Sequence, residues 1–237
     1  RRANEEPDWF WSRIIDHAGI RFSKPHTVLR DISDGPESIK WAVGGTLNLT
    51  ETCLDARIAQ GLGEKIAIDW VGEDGRRRRW TYSELAAEAS RVASALAVRG
   101  VRPGQAVGIY MPMIPEAAFA MLACARIGAI HSVVFGGFSA EALRDRIRDC
   151  DAEVVITQDE GMRGGKTIPL KATTDEACQG STSIKKVLVY QRTGAEVDWN
   201  ASRDVWWHEA IDGISEEHEG VEVDAGHPLF ILYTSGS

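Results

Sequence analysis

His227-Pro228-Leu229-Phe230-Ile231-Leu232-Tyr233-Thr234-Ser235-Gly236-Ser237 is the stretch on which the reading of the fold turns. Five consecutive apolar or aromatic residues, Leu229 to Tyr233, lie between Pro228 and Gly236 and predict a strand buried on both faces of a parallel sheet. The chain then turns small and hydroxylic. Thr, Ser and Gly directly after a buried strand let backbone N–H groups converge on an anion while the hydroxyls donate to its oxygens. More glycine and a lysine should continue such a loop, so the chain is expected to be a piece of a longer protein. The plain alternative is a strand that ends in an ordinary turn.

Working back from this stretch, strands and helices alternate. Thr81 and Glu84 form a capping box, and Leu85, Ala89, Val92 and Leu96 make one apolar helical face before Gly100 and Pro103. Ala106 to Met111 reads as a strand, and Pro115 opens a helix that Gly128 closes. Ile130 to Phe135 is a strand, Ser139 caps a helix containing Leu143 and Ile147, and Glu153 to Thr157 is a further strand. A helix over Pro169 to Cys178, a strand over Lys186 to Tyr190 and a short helix over Val205 to Ile211 complete the series. Such alternation specifies an α/β fold, a mostly parallel sheet with helices on both faces and right-handed crossovers.

Two regions depart from that pattern. Residues 1–60 read as an irregular N-terminal arm: a helix from Asp8 to Ala18 ended by Gly19, then turns at Pro25, Gly35-Pro36 and Gly44-Gly45. The arm is expected to pack on a body, residues 61–237, that is incomplete at its C-terminal end. Ile66 to Val71, the turn Gly72 to Gly75 and Arg76 to Trp80 form a hairpin whose run Arg76-Arg77-Arg78-Arg79 alternates sides and is expected to be mainly a solvated edge.

Composition narrows the function classes. The 237 residues are 43% hydrophobic and 26% charged, as in a globular protein, and the net charge of −8 argues against nucleic acid as a bulk partner. Cys53, Cys124, Cys150 and Cys178 are scattered, which suits free buried thiols, and none of the six histidines falls four residues from another, so no zinc site is expected. Ala117 to Phe135, interrupted by Arg126, Gly128 and His131, falls short of a membrane span, and the first residues lack the apolar core of a signal peptide. The expected location is the cytoplasm, with no membrane partner.

Ligands in such sheets bind beyond the carboxyl ends of the strands. Three glycine-containing breaks follow strands: Phe135-Gly136-Gly137-Phe138, Gly161-Met162-Arg163-Gly164-Gly165-Lys166 and Thr234-Ser235-Gly236-Ser237. Parallel strands would open all three along one rim, where a long ligand or two adjacent ligands fit. Arg163 and Lys166, separated by Gly164-Gly165, suit a phosphate held by a guanidinium fork and an ammonium; two solvated surface cations are the equal alternative. A GxxxxGK[ST] loop is disfavoured because Glu160 occupies its first glycine position, and neither GxGxxG nor GxSxG is present.

These segments resemble a known family. Leu229 to Ser237 resembles the start of the phosphate loop of the adenylate-forming, AMP-producing acyl-CoA synthetases. Trp41 to Asn48 with Cys53-Leu54-Asp55, Val133 to Ser139, and Asp159 to Lys171 are similar to segments of the acetyl-CoA synthetase family. The resemblance implies the large N-terminal domain of those enzymes and a two-step reaction. ATP, taken with Mg2+, and a short carboxylate give an acyl-adenylate and pyrophosphate; coenzyme A then displaces AMP. It further implies that Thr234, Ser235, Gly236 and Ser237 help hold the ATP phosphates. By the same likeness Phe135, Gly136 and Gly137 line the coenzyme A nucleotide site, and Arg163, Gly164, Gly165 and Lys166 meet its phosphates. No catalytic residue is assigned within the chain, because the family's adenine-stacking aromatic, ribose-binding aspartate and catalytic lysine correspond to positions beyond 237.

There are departures. Lys166 stands where the family has a second arginine, keeping the charge but not the fork; Thr52 replaces an asparagine, and Ala56-Arg57 an Arg-His pair. These suit a side branch using another short acyl group. The rival reading is a non-catalytic nucleotide- or partner-binding α/β module.

Overall fold

A computed structural model describes residues 2–179, 181 and 183–234. First come α1 (Arg2–Glu5) and α2 (Pro7–Ala18), which Gly19 ends at φ +66°. Strands β1 (Val28–Asp31) and β2 (Lys40–Val43) pair antiparallel, and β3 (Thr46–Leu47) leads to the buried Asn48. Next comes the expected hairpin, β4 (Ile66–Val71) with β5 (Arg77–Thr81).

From residue 82 helices and strands alternate as the sequence periods require: α3 (Tyr82–Val98), β6 (Ala106–Met111), α4 (Pro115–Arg126), β7 (Ile130–Phe135), α5 (Ala140–Asp149) and β8 (Val154–Gln158). There follow β9 (Gly161–Arg163), β10 (Lys166–Ile168), α6 (Leu170–Cys178), β11 (Lys186–Tyr190), β12 (Asp204–Trp206), α7 (Trp207–Ile211), β13 (Val223–Asp224) and β14 (Phe230–Ile231). Six strands form one sheet in the order β12-β11-β8-β6-β7-β14, every pairing parallel.

Period-two alternation along the central strands builds two cores. Val107, Ile109, Val154, Ile156 and Leu188 face α3, α4 and α7, whereas Tyr110, Val155, Val187 and Val189 face α5 and α6. The fold is thus α/β, a parallel sheet with helices on both faces.

Helix starts follow local chemistry. Thr81 accepts the Glu84 N–H at 3.2 Å while the Glu84 carboxylate accepts the Thr81 N–H at 2.8 Å, closing the box that orients α3. Thr81→Ala should lower the unfolding free energy by about 1 kcal/mol, measured by urea denaturation. Ser139 caps α5 by accepting the Ala142 N–H at 3.2 Å.

Three expectations need correction. Leu229 to Tyr233 is not a strand buried on both faces: only Phe230 and Ile231 pair, with His131 and Ser132 of β7, and Phe230 and Leu232 remain 54% and 68% exposed. β14 is the sheet's edge, and among the described residues no strand covers its second side. Val205 and Trp206, expected at the start of a helix, belong with Asp204 to the opposite edge strand, because β11 offers them a free ladder; the helix starts at Trp207. The break after β8 is no open loop. Gly161–Arg163 and Lys166–Ile168 pair antiparallel about Gly164 and Gly165, which lie at φ +56° and +72°, the pattern of a type I′ hairpin turn.

Candidate functional site

Because β6, β7, β8 and β11 run parallel, the loops that leave their carboxyl ends emerge on one side of the sheet. There they enclose a cavity of about 280 Å³ together with the tip of the β4–β5 hairpin. Phe135 and Gly136 come from β7, Gly161 to Arg163 from β9, Ile114 from the β6 exit, Trp70 to Glu73 from the hairpin, and Arg192 from the β11 exit. Ile168 and Leu170 add apolar surface.

The Arg163 guanidinium stands 4.7 Å from the Phe135 ring centroid, and Phe138 meets Phe135 edge-on at 6.0 Å. Gly137 lets this packing close: a Cβ there would lie 2.8 Å from Arg163 Nη1 and 2.7 Å from Phe135 Cε1 and would push the two side chains from their places. At Gly136 a Cβ would press on the Pro112 backbone nitrogen at 3.3 Å. Gly164 and Gly165 have another reason, since nothing approaches within 4 Å of a Cβ at either and their positive φ alone demands glycine.

Lys166 pairs directly across the hairpin from Arg163, so both cations leave the same face. Neither has an ion-pair partner among the described residues, and like charges held opposite one another repel. An anion lying over the hairpin would relieve that repulsion.

The three arginines of β5 divide as alternation demands, and Arg76 lies just before the strand. Arg76 pairs with Asp74, while Arg77 and Arg79 pair with Asp69; the hydrogen bond from Arg77, then that from Arg79, outweighs solvent loss and holds the Asp69 carboxyl at about 2. Arg78 turns inward to Glu116 and to the Tyr190 hydroxyl at 3.2 Å.

The site residues read from the sequence are therefore only partly assembled. Phe135, Gly136 and Arg163 line one cavity, with Gly137 in contact, and Gly164, Gly165 and Lys166 extend the adjoining hairpin. Thr234 leaves β14 at the same edge of the sheet but does not line that cavity, and Ser235, Gly236 and Ser237 lie outside the described residues. Trp70 and Arg192 were not anticipated. The signal available for Arg192 was its place just beyond a parallel strand, where ligands gather, with Gly194 marking the break two residues later.

Other groups offer little chemistry. Burial raises all four thiols, pushing Cys124 up to about 12, so none is poised as a nucleophile. Burial also pushes the His131 imidazole below its usual range. Among the described residues no group of three or more His, Cys, Asp or Glu is placed to hold a metal, and no helix is long and apolar enough to cross a membrane. An aromatic ring, a close-approach glycine and an unneutralised guanidinium beside an apolar wall suit a planar heterocycle that carries phosphate.

The family model described as AMP-binding enzyme matches residues 55–237, and that described as acetyl-coenzyme A synthetase N-terminus matches residues 1–53. Acetyl-coenzyme A synthetase from Halorhodospira halophila is 51% identical over 238 residues, covering 100% of this chain and 36% of that protein. The enzyme of the same name from Streptomyces coelicolor is 52% identical over 228 residues, covering 96% of this chain and 35% of its own length. Among solved structures, acetoacetyl-CoA synthetase from Streptomyces lividans superposes with a TM-score of 0.89 at 28% identity, over 100% of this chain and 35% of that one. The chain thus spans about a third of the length of the relatives it matches.

Proposed function

Given that the chain belongs to the AMP-binding enzyme family, we propose that it is part of an AMP-forming acyl-CoA ligase acting on acetate or another short carboxylate. In the first step a carboxylate oxygen attacks the α-phosphorus of ATP, taken as its magnesium complex, and pyrophosphate departs from the acyl-adenylate. In the second the thiol of coenzyme A attacks the acyl carbonyl, loses its proton and expels AMP.

The observation that carries this reading is the pairing of Arg163 with the Phe135 ring over Gly137, with Lys166 beside it and, among the described residues, no carboxylate paired with either cation. The coenzyme A nucleotide rests its heterocycle against Phe135 and Gly136, and its phosphates meet Arg163 and Lys166. Thr234 to Ser237 receive the ATP phosphates, where donors aimed at the leaving pyrophosphate favour its departure. The remaining chemistry of both steps is assigned to no residue of this chain. A cytoplasmic location accompanies the proposal, since ATP and coenzyme A are drawn from that pool.

The test is acetate-dependent exchange of pyrophosphate into ATP by the protein as its gene encodes it. No exchange with any short carboxylate would remove the ligase reading. Arg163→Ala should raise the KM for coenzyme A about tenfold or more, the loss of one charge-assisted phosphate contact, while exchange stays within about twofold. Equal losses in both steps would contradict the role given to Arg163.

A further inference from the structure

The cavity that Arg163 lines holds a second arginine seated on an aromatic ring. The Arg192 guanidinium lies 5.5 Å from the Trp70 ring centroid, and that ring is fixed by its own Nε1–H, which donates to the Met113 carbonyl at 2.9 Å. Arg78 also approaches the Trp70 ring, at 5.2 Å, but its guanidinium is committed to Glu116 and Tyr190. Arg192 has no such partner among the described residues. Asp74 feels its charge through space but gives both oxygens to Arg76, at 3.0 and 2.5 Å.

The backbone under Arg192 is held firmly. Asp159, 1% exposed at the exit of β8, accepts the Arg192 N–H through Oδ1 at 2.9 Å. Its Oδ2 accepts the N–H groups of Thr193 and Gly194, both at 2.9 Å. A buried carboxylate is thus spent on fixing the turn that presents a free guanidinium, and solvation of a surface arginine requires no such anchor. Arg192 also lines a neighbouring cavity of about 90 Å³ with Trp70 and Ile114, so it stands where two hollows meet. Among the described residues Glu73 is the sole carboxylate lining the larger hollow, against two arginines with no ion-pair partner.

We propose that Arg192, braced by Trp70 and by the Asp159 turn, is a second phosphate contact of this cavity: Arg163 takes one anionic group of the nucleotide and Arg192 another. The ligand is then a purine nucleotide with phosphate at two separate positions, and Arg192 supplies a fork where Lys166 offers only a point charge. The assignment rests on the coenzyme A reading above, since a ligand with a single anionic group leaves Arg192 idle.

The experiment measures the KM for coenzyme A and for 3′-dephospho-coenzyme A, with pyrophosphate exchange alongside, in the protein as its gene encodes it and its Arg192→Ala, Arg192→Lys and Arg163→Ala variants. Arg192→Ala should raise the KM for coenzyme A about tenfold, Arg192→Lys should recover only part of that loss because it restores the charge without the fork, and exchange should hold within about twofold. A penalty that disappears with the dephospho compound assigns Arg192 to the 3′-phosphate; one that persists assigns it to the pyrophosphate. If Arg163→Ala raises that KM and Arg192→Ala does not, the inference on Arg192 is wrong and the coenzyme A reading stands. If neither variant changes it, both fall. A parallel loss of exchange and thioester formation in Arg192→Ala would assign Arg192 to folding alone and overturn the inference.

Discussion

Asp204→Ala should lower the unfolding free energy by about 3 kcal/mol, because it strips a carboxylate from a cation the fold has fully buried. Lys171, 0% exposed near the start of α6, places Nζ 2.8 Å from the Asp204 carboxylate, 2.8 Å from Asp175 and 2.9 Å from the Asp198 carbonyl. Arg203 closes the cluster, donating to Asp204 at 2.6 Å and to Asp175. Without Asp204, two cations share one carboxylate, and the Asn200 N–H loses an acceptor at 2.9 Å. Asp175 remains, which keeps the loss at the lower end of the range for a broken buried pair. Urea denaturation measures it. Asp204→Asn should fall nearly as far although its shape is unchanged, and adding Lys171→Met to Asp204→Ala should recover part of the loss.

The acid dependence has a definite sign. Burial by itself would raise the Asp204 carboxyl, but hydrogen bonds from Arg203 and Lys171 outweigh it and hold the group below its ordinary value of 3.8. A carboxyl depressed in the folded state contributes stability that is complete above its unfolded value and is lost as pH falls through the folded one. The parent protein should therefore lose more stability than Asp204→Asn on acidification below about 3.8. The cluster bears on the cavity as well. The Lys171 N–H donates to the Asp159 carbonyl at 3.1 Å, and Leu170 beside it lines the hollow, so loosening α6 should loosen the turn that carries Arg192.

What the letters reveal depends on whether the information is local. Strands β6, β7, β8 and β11 are legible because a short segment rich in Val, Ile and Leu between helix signals has few other uses. Helix α3 is legible because Thr81 and Glu84 state its first turn. Asp204-Val205-Trp206 is different: it runs without a break into Trp207 and Ala210, and only a ladder to β11, formed by a distant segment, makes it a strand. The run after Pro228 likewise says that it is apolar but not whether a second neighbour covers it. Arg163-Gly164-Gly165-Lys166 did carry a local hairpin signal, two glycines between short strands, which the flanking cations obscured. The cavity was half legible for the same reason. Phe135 and Gly136 announce a break after a strand, whereas Arg192 and Trp70 meet only through tertiary packing. Nothing near Lys171 announces its burial, since Asp175 one turn later looks like an ordinary surface pair.

Asn48→Ala should cost about 3 kcal/mol and release the residues ahead of Thr50 before the sheet melts. Asn48 follows β3 and is 0% exposed; its Nδ2 donates to the Ala125 and Arg126 carbonyls, both at 3.0 Å, and to the Val221 carbonyl at 2.8 Å. The first two are terminal carbonyls of α4, which have no partner within their own helix. Its Oδ1 accepts the Thr50 N–H at 3.0 Å and the Thr50 hydroxyl at 2.7 Å. Truncation takes the Asn48 amide from the Thr50 N–H and the Val221 carbonyl, each worth about 1–3 kcal/mol, while the Ala125 and Arg126 carbonyls keep the Gly128 and Val221 N–H groups at 3.2 and 2.8 Å and Thr50 Oγ1 keeps Arg126 at 2.9 Å. Asn48→Asp should be worse than alanine, because a carboxylate would face the same three carbonyl oxygens with no proton to donate. The consequence is local. Arg126 still grips Asp55 at 2.9 and 3.0 Å, so the segment beyond residue 50 stays attached while the part before it loses its anchor. In Asn48→Ala, hydrogen exchange should quicken across β1, β2 and β3, with β6, β8 and β11 keeping their protection. Uniform acceleration would instead mean that residues 1–60 and 61–237 open as one unit, contrary to the proposal that the former is an arm laid over the latter.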